Sequence, residues 1–198
     1  METRTIKALL SLVAFCATPG LSQTAAAEAV AAGNYKIDPA HTTIQFTVSH
    51  LGVSDLSGRF NLFEGGITLA PNGNSEVNVS IQTASVDTNH RKRDDHLRSP
   101  DFFNAKQYPE MRFVSKKVSN NAYGQPIKVQ GDLTLHGKTR PVTLKVSPVG
   151  AGADPWGGYR AGFNATTTIK RSAHGMNFMQ GGIGDDITIT LNIEAVKQ

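Results

Sequence analysis

The segment Asp186–Glu194, DITITLNIE, alternates apolar and polar residues from one end to the other. Its apolar members are Ile187, Ile189, Leu191 and Ile193, and its polar members between them are Thr188, Thr190 and Asn192. Because successive side chains of a β-strand point to opposite faces, this period of two predicts a strand with one buried face and one solvated face. Half-buried strands of this kind are typical of antiparallel sheets.

The same alternation recurs along most of the chain. It is clearest at Thr42–Leu51, Leu56–Leu69, Glu76–Val86, Met111–Val118, Ile127–Leu135, Val142–Val149 and Tyr159–Lys170. The length of 198 residues fits one domain more easily than two. Since long antiparallel strands leave unpaired edges unless the sheet closes, we expect an all-β fold, an extended antiparallel β-barrel of about eight to ten strands.

One stretch, His90–Pro109, interrupts this pattern with the sequence HRKRDDHLRSPDFFNAKQYP. We interpret residues at about 90–105 as a short helical crossover between two parts of the sheet. Its charged half predicts an anchor at the rim of the barrel. The adjacent pair Phe102 and Phe103 predicts a plug or lid for an apolar lumen.

The first 27 residues have the pattern of a secretory signal peptide. Arg4 and Lys7 precede an apolar stretch at Ala8–Ala17, and the alanines at 25–27 provide a small-residue cleavage site. We therefore predict cleavage after Ala27, export, and one mature domain over residues 28–198. The apolar stretch is too short to span a bilayer as a helix, and we predict no integral membrane segment.

Cysteine and charge content argue against several classes of function. Cys16 is the only cysteine and precedes the predicted cleavage site, so the mature domain has no thiol for a disulfide, a nucleophile or an iron–sulfur cluster. The chain has 20 basic and 16 acidic side chains, a net charge of +4. Because the basic residues are scattered and form no stripe interleaved with aromatics, we do not expect nucleic acid as a partner.

The apolar faces of the strands predict the wall of the barrel interior. Small residues on these faces, at Gly131, Ala165 and Thr167, are expected to leave room for a ligand. With the two phenylalanines of the crossover, the predicted lumen-lining residues are Ile44, Phe46, Val48, Phe60, Leu62, Val79, Ile81, Phe102, Phe103, Phe113, Leu133, Phe163, Ala165 and Leu191.

Polar clusters support weaker hypotheses. His90, Asp94, Asp95 and His96 form the one close grouping with metal-binding or acid–base chemistry, but on a helix His96 does not share a face with His90 and Asp94. We therefore predict no metal site, no catalytic residue and no cofactor other than a bound lipid or quinone. Arg91 and Arg93 are head-group candidates, because guanidinium groups bind phosphate oxygens in pairs.

Several motifs occur in a fixed order. They are Asp38-Pro39-Ala40-His41-Thr42, Gly58-Arg59-Phe60, Arg93-Asp94-Asp95-His96-Leu97-Arg98-Ser99-Pro100-Asp101-Phe102-Phe103, Tyr108-Pro109, Gly131-Asp132-Leu133-Thr134-Leu135-His136-Gly137 and Thr139-Arg140-Pro141-Val142. With them the chain resembles the YceI-like family from about Tyr35 onward. The resemblance implies a lipocalin-like barrel that binds a polyisoprenoid lipid, such as a quinone tail or a polyprenyl phosphate, and homodimers in many members. The chain departs from the family at Ala173 and His174, where an acidic and an aromatic residue are usual, so His174 joins the head-group candidates.

The strands and the resemblance together predict a non-catalytic, periplasmic protein that carries or sequesters a long-chain amphiphilic lipid. Two alternatives stay open at this point. One is a lipid-modifying enzyme that uses Asp94, His96 or His174 for proton transfer. The other is a stress-induced structural protein whose barrel is packed shut.

Overall fold

The computed structural model describes residues 30–71 and 74–198, and these are mainly β-strand. The predicted signal peptide, residues 1–27, lies outside the described residues. The elements are strands β1 (Gly33–Ile37), β2 (Thr43–His50), β3 (Ser54–Phe60), β4 (Phe63–Leu69), β5 (Glu76–Gln82) and β6 (Val86–Asp87), helix α1 (Arg91–Arg98), and strands β7 (Glu110–Asn120), β8 (Pro126–Leu135), β9 (Lys138–Ala153), β10 (Tyr159–Lys170) and β11 (Ile183–Lys197). Short 3-10 turns lie at Thr83–Ser85 and Arg171–His174.

The strands close into an antiparallel barrel. Neighbours follow the order β1, β4, β5, β7, β8, β9, β10, β11, and β11 pairs back with β1. Strands β2, β3 and β6 continue β1, β4 and β5 beyond local bends, and β2 takes over from β1 as the partner of β11. Eight long strands, three of them interrupted, therefore surround the interior. The predicted antiparallel, lipocalin-like barrel is confirmed.

The strand predicted over Leu56–Leu69 is divided in two. β3 ends at Phe60, and β4 begins at Phe63. In the bend between them, Asn61 N donates to Ser85 O at 3.2 Å and Leu62 O accepts from Gln82 N at 2.9 Å. The bend changes the alternation of sides, so that Phe63 rather than Leu62 follows Phe60 on the inner face.

The crossover between β6 and β7 contains α1, as the charged run predicted. The helix begins after His90, whose Nδ1 accepts a hydrogen bond from Arg93 N at 3.3 Å. Arg98 fixes it to the barrel, because Nε donates to Ala84 O at 2.7 Å and Nη2 donates to Val86 O at 2.8 Å. No helix in the described part of the chain is long and apolar enough to cross a bilayer.

Two apolar clusters occupy the barrel at different heights. We call the end that carries α1 and the β2–β3, β8–β9 and β10–β11 connections the helical end. The larger cluster lies towards it and includes Phe46, Phe60, Met111, Phe113 and Ile169. The smaller one, which we name the floor cluster, lies towards the opposite end and consists of Tyr35, Ile67, Ala161, Phe163 and Ala195. Space for a ligand is therefore expected between the helical end and the floor cluster.

Candidate ligand-binding cavity

The barrel encloses a cavity of about 740 Å³. Strand β11 supplies a large share of its wall, since every second residue from Ile187 to Ile193 lines it. Leu97 on α1 and Phe103 beyond it contribute to the lining near the helical end. Pockets of this size hold small ligands and cofactors, and apolar linings favour apolar ones. The alternation of DITITLNIE is therefore what builds one side of the cavity.

The cavity brings together most of the residues predicted to line the lumen. The predicted residues that do line it are Ile44, Phe46, Val48, Phe60, Val79, Ile81, Phe102, Phe103, Phe113, Leu133 and Leu191. Within this set the rings of Phe46 and Phe60 lie 5.7 Å apart, and those of Phe60 and Phe103 lie 5.4 Å apart in an edge-on arrangement. Phe103 therefore packs over the interior, as a plug or lid would.

Three predicted lumen residues lie elsewhere. Leu62 is 61% exposed, because the bend after Phe60 turns its side chain outwards, and Phe63 lines the cavity instead. Phe163 and Ala165 do face inwards and are 4% and 3% exposed, but neither lines the cavity. Phe163 belongs to the floor cluster. Alternation identifies the face of a strand correctly here, but it carries no information about height along the barrel.

The space predicted beside Gly131 is also filled. A Cβ built on this glycine would lie 2.4 Å from Val114 O and 2.7 Å from the Phe113 ring. Glycine at this position therefore permits a close approach of chains rather than widening the lumen.

The mouth of the cavity lies at the helical end, where exposed side chains join its lining. These include Asp55 on β3, His96 on α1, and Phe178 and Met179 in the connection from β10 to β11. The rings of His96, Phe102 and Phe178 contact one another edge-on, with centroids 5.0 to 5.3 Å apart. His96 Nε2 also lies 2.8 Å from Asp101 Oδ2. The crossover thus contributes both apolar and polar groups to the mouth.

The head-group candidates on α1 have different positions. Arg93 lines the cavity, and its guanidinium donates from Nε to Thr88 Oγ1 and from Nη2 to Thr88 O, each at 2.7 Å. His96 and Leu97 lie three and four residues further on and also line the cavity. Arg91 is exposed and does not line it, because it precedes Arg93 by two residues and so falls on another face of the helix.

His174, the third head-group candidate, is 1% exposed and does not line the cavity. The 3-10 turn at Arg171–His174 places its ring behind the β8–β9 connection, where Nδ1 lies 3.1 Å from Lys138 O. Burial lowers the pKa of His174, although backbone carbonyls that favour the charged form oppose this effect. His174 is therefore part of the packing of the barrel wall.

This burial predicts a pH dependence of stability. Because the pKa of His174 is lower in the folded protein than its usual 6.5, the unfolded chain binds a proton more readily. The contribution is fully present above about pH 6.5, and we expect the free energy of unfolding to fall as the pH drops from there towards the lowered pKa. Urea unfolding between pH 7.5 and 5 measures the slope. His174→Gln should flatten it, and an unchanged slope in that variant would contradict the assignment.

Arg171 was not singled out by the sequence, yet it organises the connection beside the mouth. It is 3% exposed, and its guanidinium donates to four backbone carbonyls: those of Met176, Phe178, Ile183 and Gly184, at 2.7 to 3.0 Å. Desolvation lowers its pKa, and the nearby carboxylate of Asp185 opposes that effect. The glycines at 181, 182 and 184 were the available signal in the sequence, because they indicate an irregular segment. The backbone carbonyls of such a segment need hydrogen-bond donors from elsewhere, and Arg171 is a nearby donor.

The titratable residues of the crossover do not converge on one point. Asp94 is buried and accepts from Thr88 N at 2.9 Å, whereas Asp95 pairs with Arg98 at 3.0 Å. Elsewhere among the described residues, Asp38, His41 and Glu194 lie close enough to share a metal ion. However, Arg160 Nη1 lies 2.7 Å from Asp38 Oδ2 and 2.6 Å from Glu194 Oε1. The Arg160 guanidinium therefore already forms ion pairs with two of the three candidate metal ligands.

Comparison with known proteins gives relatives over most of the chain. It is 45% identical over 174 residues to the UPF0312 protein of Shewanella denitrificans, a match that covers 86% of this chain and 91% of that protein. The crystal structure of the Campylobacter jejuni YCEI protein has 30% sequence identity and a TM-score of 0.64, covering 76% of this chain and 90% of that one.

A polyisoprenoid binding domain from Saccharophagus degradans implicated in plant cell wall breakdown shares the fold. Its TM-score is 0.66 at 16% identity, and the match covers 83% of this chain and 98% of that domain. The model of the YceI-like domain family matches residues 35–195. This chain is therefore a member of the YceI-like domain family.

Proposed function

We propose that this protein is a non-catalytic binding protein that holds the chain of a long amphiphilic lipid, of isoprenoid type, inside its barrel. The observation that carries the proposal is the apolar cavity of about 740 Å³ between the helical end and the floor cluster. The polyisoprenoid binding domain from Saccharophagus degradans, which shares the fold, supports the same class of ligand. Because such a lipid is nearly insoluble in water, a protein that encloses it can carry or sequester it.

Burial of the lipid chain supplies enough free energy for this function. Each CH2 removed from water contributes about 0.8 kcal/mol, so about ten of them give roughly 8 kcal/mol, the free energy of a micromolar complex before association costs. A cavity lined by Phe113, Leu133 and Ile189 can provide that without any specific polar contact. The chain of the ligand is therefore expected to dominate affinity.

Arg93 is the residue best placed to contact a polar head. It lines the cavity from α1, and two of its nitrogens are already held by Thr88. A phosphate or a quinone oxygen near the mouth would find a fixed cation there. Arg171 also lines the cavity, but four carbonyls use its donors. Of the three head-group candidates, we therefore retain Arg93 in preference to Arg91 and His174.

Two alternatives receive less support from the geometry. An enzyme using Asp94 and His96 would need them at a common substrate, whereas Asp94 is bonded to Thr88 and His96 faces Asp101. A barrel packed shut is at odds with the cavity.

The periplasmic location, with removal of residues 1–27, and the homodimer implied by the family resemblance both stay part of the proposal. Sedimentation of the mature protein would test the dimer.

The test is to identify what the protein holds. The mature chain is purified from a native periplasmic extract and examined by native mass spectrometry, and the released ligand is identified after organic extraction. We expect an isoprenoid lipid at close to one per barrel, and uptake of a polyprenyl phosphate or a quinone by protein stripped of lipid. A protein that is empty as isolated and takes up neither compound would overturn the proposal.

A further inference from the structure

The cavity ends well before the barrel does. Val77 on β5 and Ile193 on β11 line the cavity and also pack against the floor cluster. Beyond them the interior is filled, since Tyr35, Phe163 and Ala195 are 2%, 4% and 0% exposed. The lumen is therefore closed at the end opposite the mouth, and side chains of β1, β10 and β11 form the bottom.

Contacts of the floor cluster hold the bottom of the cavity in place. A lipid chain that extended past the bottom would have to break them. Tyr35 Oη donates to Ala31 O at 2.5 Å, and Ala31 N donates to Tyr159 Oη at 3.4 Å. Val30 packs against the same cluster. The segment that leads into β1 thus lies across the outer side of the floor cluster and is tied to it by two tyrosines. Phe163, in contrast, is held by packing alone.

The volume of the cavity indicates the length of lipid chain that it can hold. An apolar cavity of about 150 Å³ holds the six carbons of benzene, roughly 25 Å³ per carbon. At that density, 740 Å³ holds about 30 carbons, or about six five-carbon isoprenoid units. A longer chain would have to leave through the mouth, past His96 and Phe178.

We propose that the floor cluster sets the length of isoprenoid chain that this barrel selects, with Phe163 as the specificity-determining residue. This rests on the proposed function, because it concerns the ligand of the same cavity. Each five-carbon unit that fits inside removes apolar surface from water and raises affinity by at least about tenfold. A unit beyond the sixth finds no room and adds little. Affinity should therefore rise with chain length and then level off.

The experiment measures binding of a series of all-trans prenyl monophosphates, from two to ten isoprenoid units, to the lipid-free mature protein. Displacement of the fluorescent probe N-phenyl-1-naphthylamine gives each affinity. The wild-type protein should show the plateau at about six units. Phe163→Ala should move it about one unit longer, because the deleted ring lies beside Ile193, which lines the cavity where it meets the floor cluster.

A second variant tests the same idea in the opposite direction. Thr167 lines the cavity on the face of β10 that also carries Phe163, so Thr167→Phe should fill part of the lumen and move the plateau to shorter chains. Thr166→Ala, on the exposed outer face of β10, is the matched control and should leave the plateau in place. Thr167→Phe keeps the test decisive should Phe163→Ala not fold.

The outcomes separate the two proposals. Binding of the prenyl phosphates with no dependence on length, with affinity rising through ten units, or with a plateau that neither variant moves would overturn the role of the floor cluster and leave the lipid-binding proposal intact. Failure of every chain length to displace the probe or bind would overturn both.

Discussion

Replacing Ile189 with Asp is expected to abolish lipid uptake. Ile189 lines the cavity at the middle of β11, directly opposite Thr167 on β10 and Phe46 on β2, which line it as well. A carboxylate placed there has no cationic neighbour in the strand pairs on either side and must be desolvated when a lipid chain enters. Removing an unpaired charge from water costs several kcal/mol, so affinity should fall by at least about 100-fold.

The adjacent residue provides a matched control. Thr188 is exposed on the outer face of β11, so Thr188→Asp introduces the same charge one position away and should leave affinity unchanged. Titration with a prenyl phosphate measures both, and circular dichroism verifies that both variants fold. Equal loss in the two variants, or normal binding by a folded Ile189→Asp protein, would mean that the lipid does not occupy this cavity.

Replacing Arg171 with Met is expected to cause the largest loss of stability. The substitution keeps the length of an apolar side chain but leaves the carbonyls of Met176, Phe178, Ile183 and Gly184 without their donor. Each buried carbonyl left unpaired costs roughly 1–3 kcal/mol, less where water can reach it. Since the segment lies beside the mouth, some rehydration is expected, and we expect a net loss of about 3–5 kcal/mol in the free energy of unfolding.

Urea unfolding measures this loss, and two further variants define its cause. Lys170→Ala removes a neighbouring exposed cation whose ion pair with Asp186, at 2.8 Å, is solvated and should contribute little to stability. Arg171→Lys keeps the charge but has fewer donors in a different geometry, so it should recover only part of the stability. Full recovery by lysine would show that charge rather than the number of hydrogen bonds matters at this position.

Much of the fold could be predicted because alternation is a local signal. A strand such as β2 or β11 shows its inner face directly in its sequence, and the predicted lumen residues Ile44, Phe46 and Val48 of β2 and Leu191 of β11 do line the cavity. The bend at Asn61 and Leu62 could not be predicted in this way. It is held by Gln82 and Ser85, residues about twenty positions further along, whose backbone groups bond across it.

The candidate site shows a second limit of prediction from the sequence. Phe163 and Thr167 share a face of β10, yet the first fills the bottom of the barrel and the second borders open space. Their difference depends on which residues of other strands lie at the same height, which is set by strand tilt and register. His174 and Arg171 were obscured for a related reason. Their partners are backbone carbonyls, and the identity of a residue does not reveal where its carbonyl points.

The closing strand β11 has a consequence for the order of folding. Its pairing joins Tyr35 to Lys197, which are 162 positions apart in the chain (197 − 35). β7 to β10 connect through successive local hairpins, whereas this seam requires the ends of a very long loop to meet, and non-local pairings of that kind slow folding. We therefore expect an open, curled sheet to precede the ring, with the seam between β1 and β11 forming last. In that interval both edges are free to pair with another chain, so the rate of closure governs the tendency to aggregate.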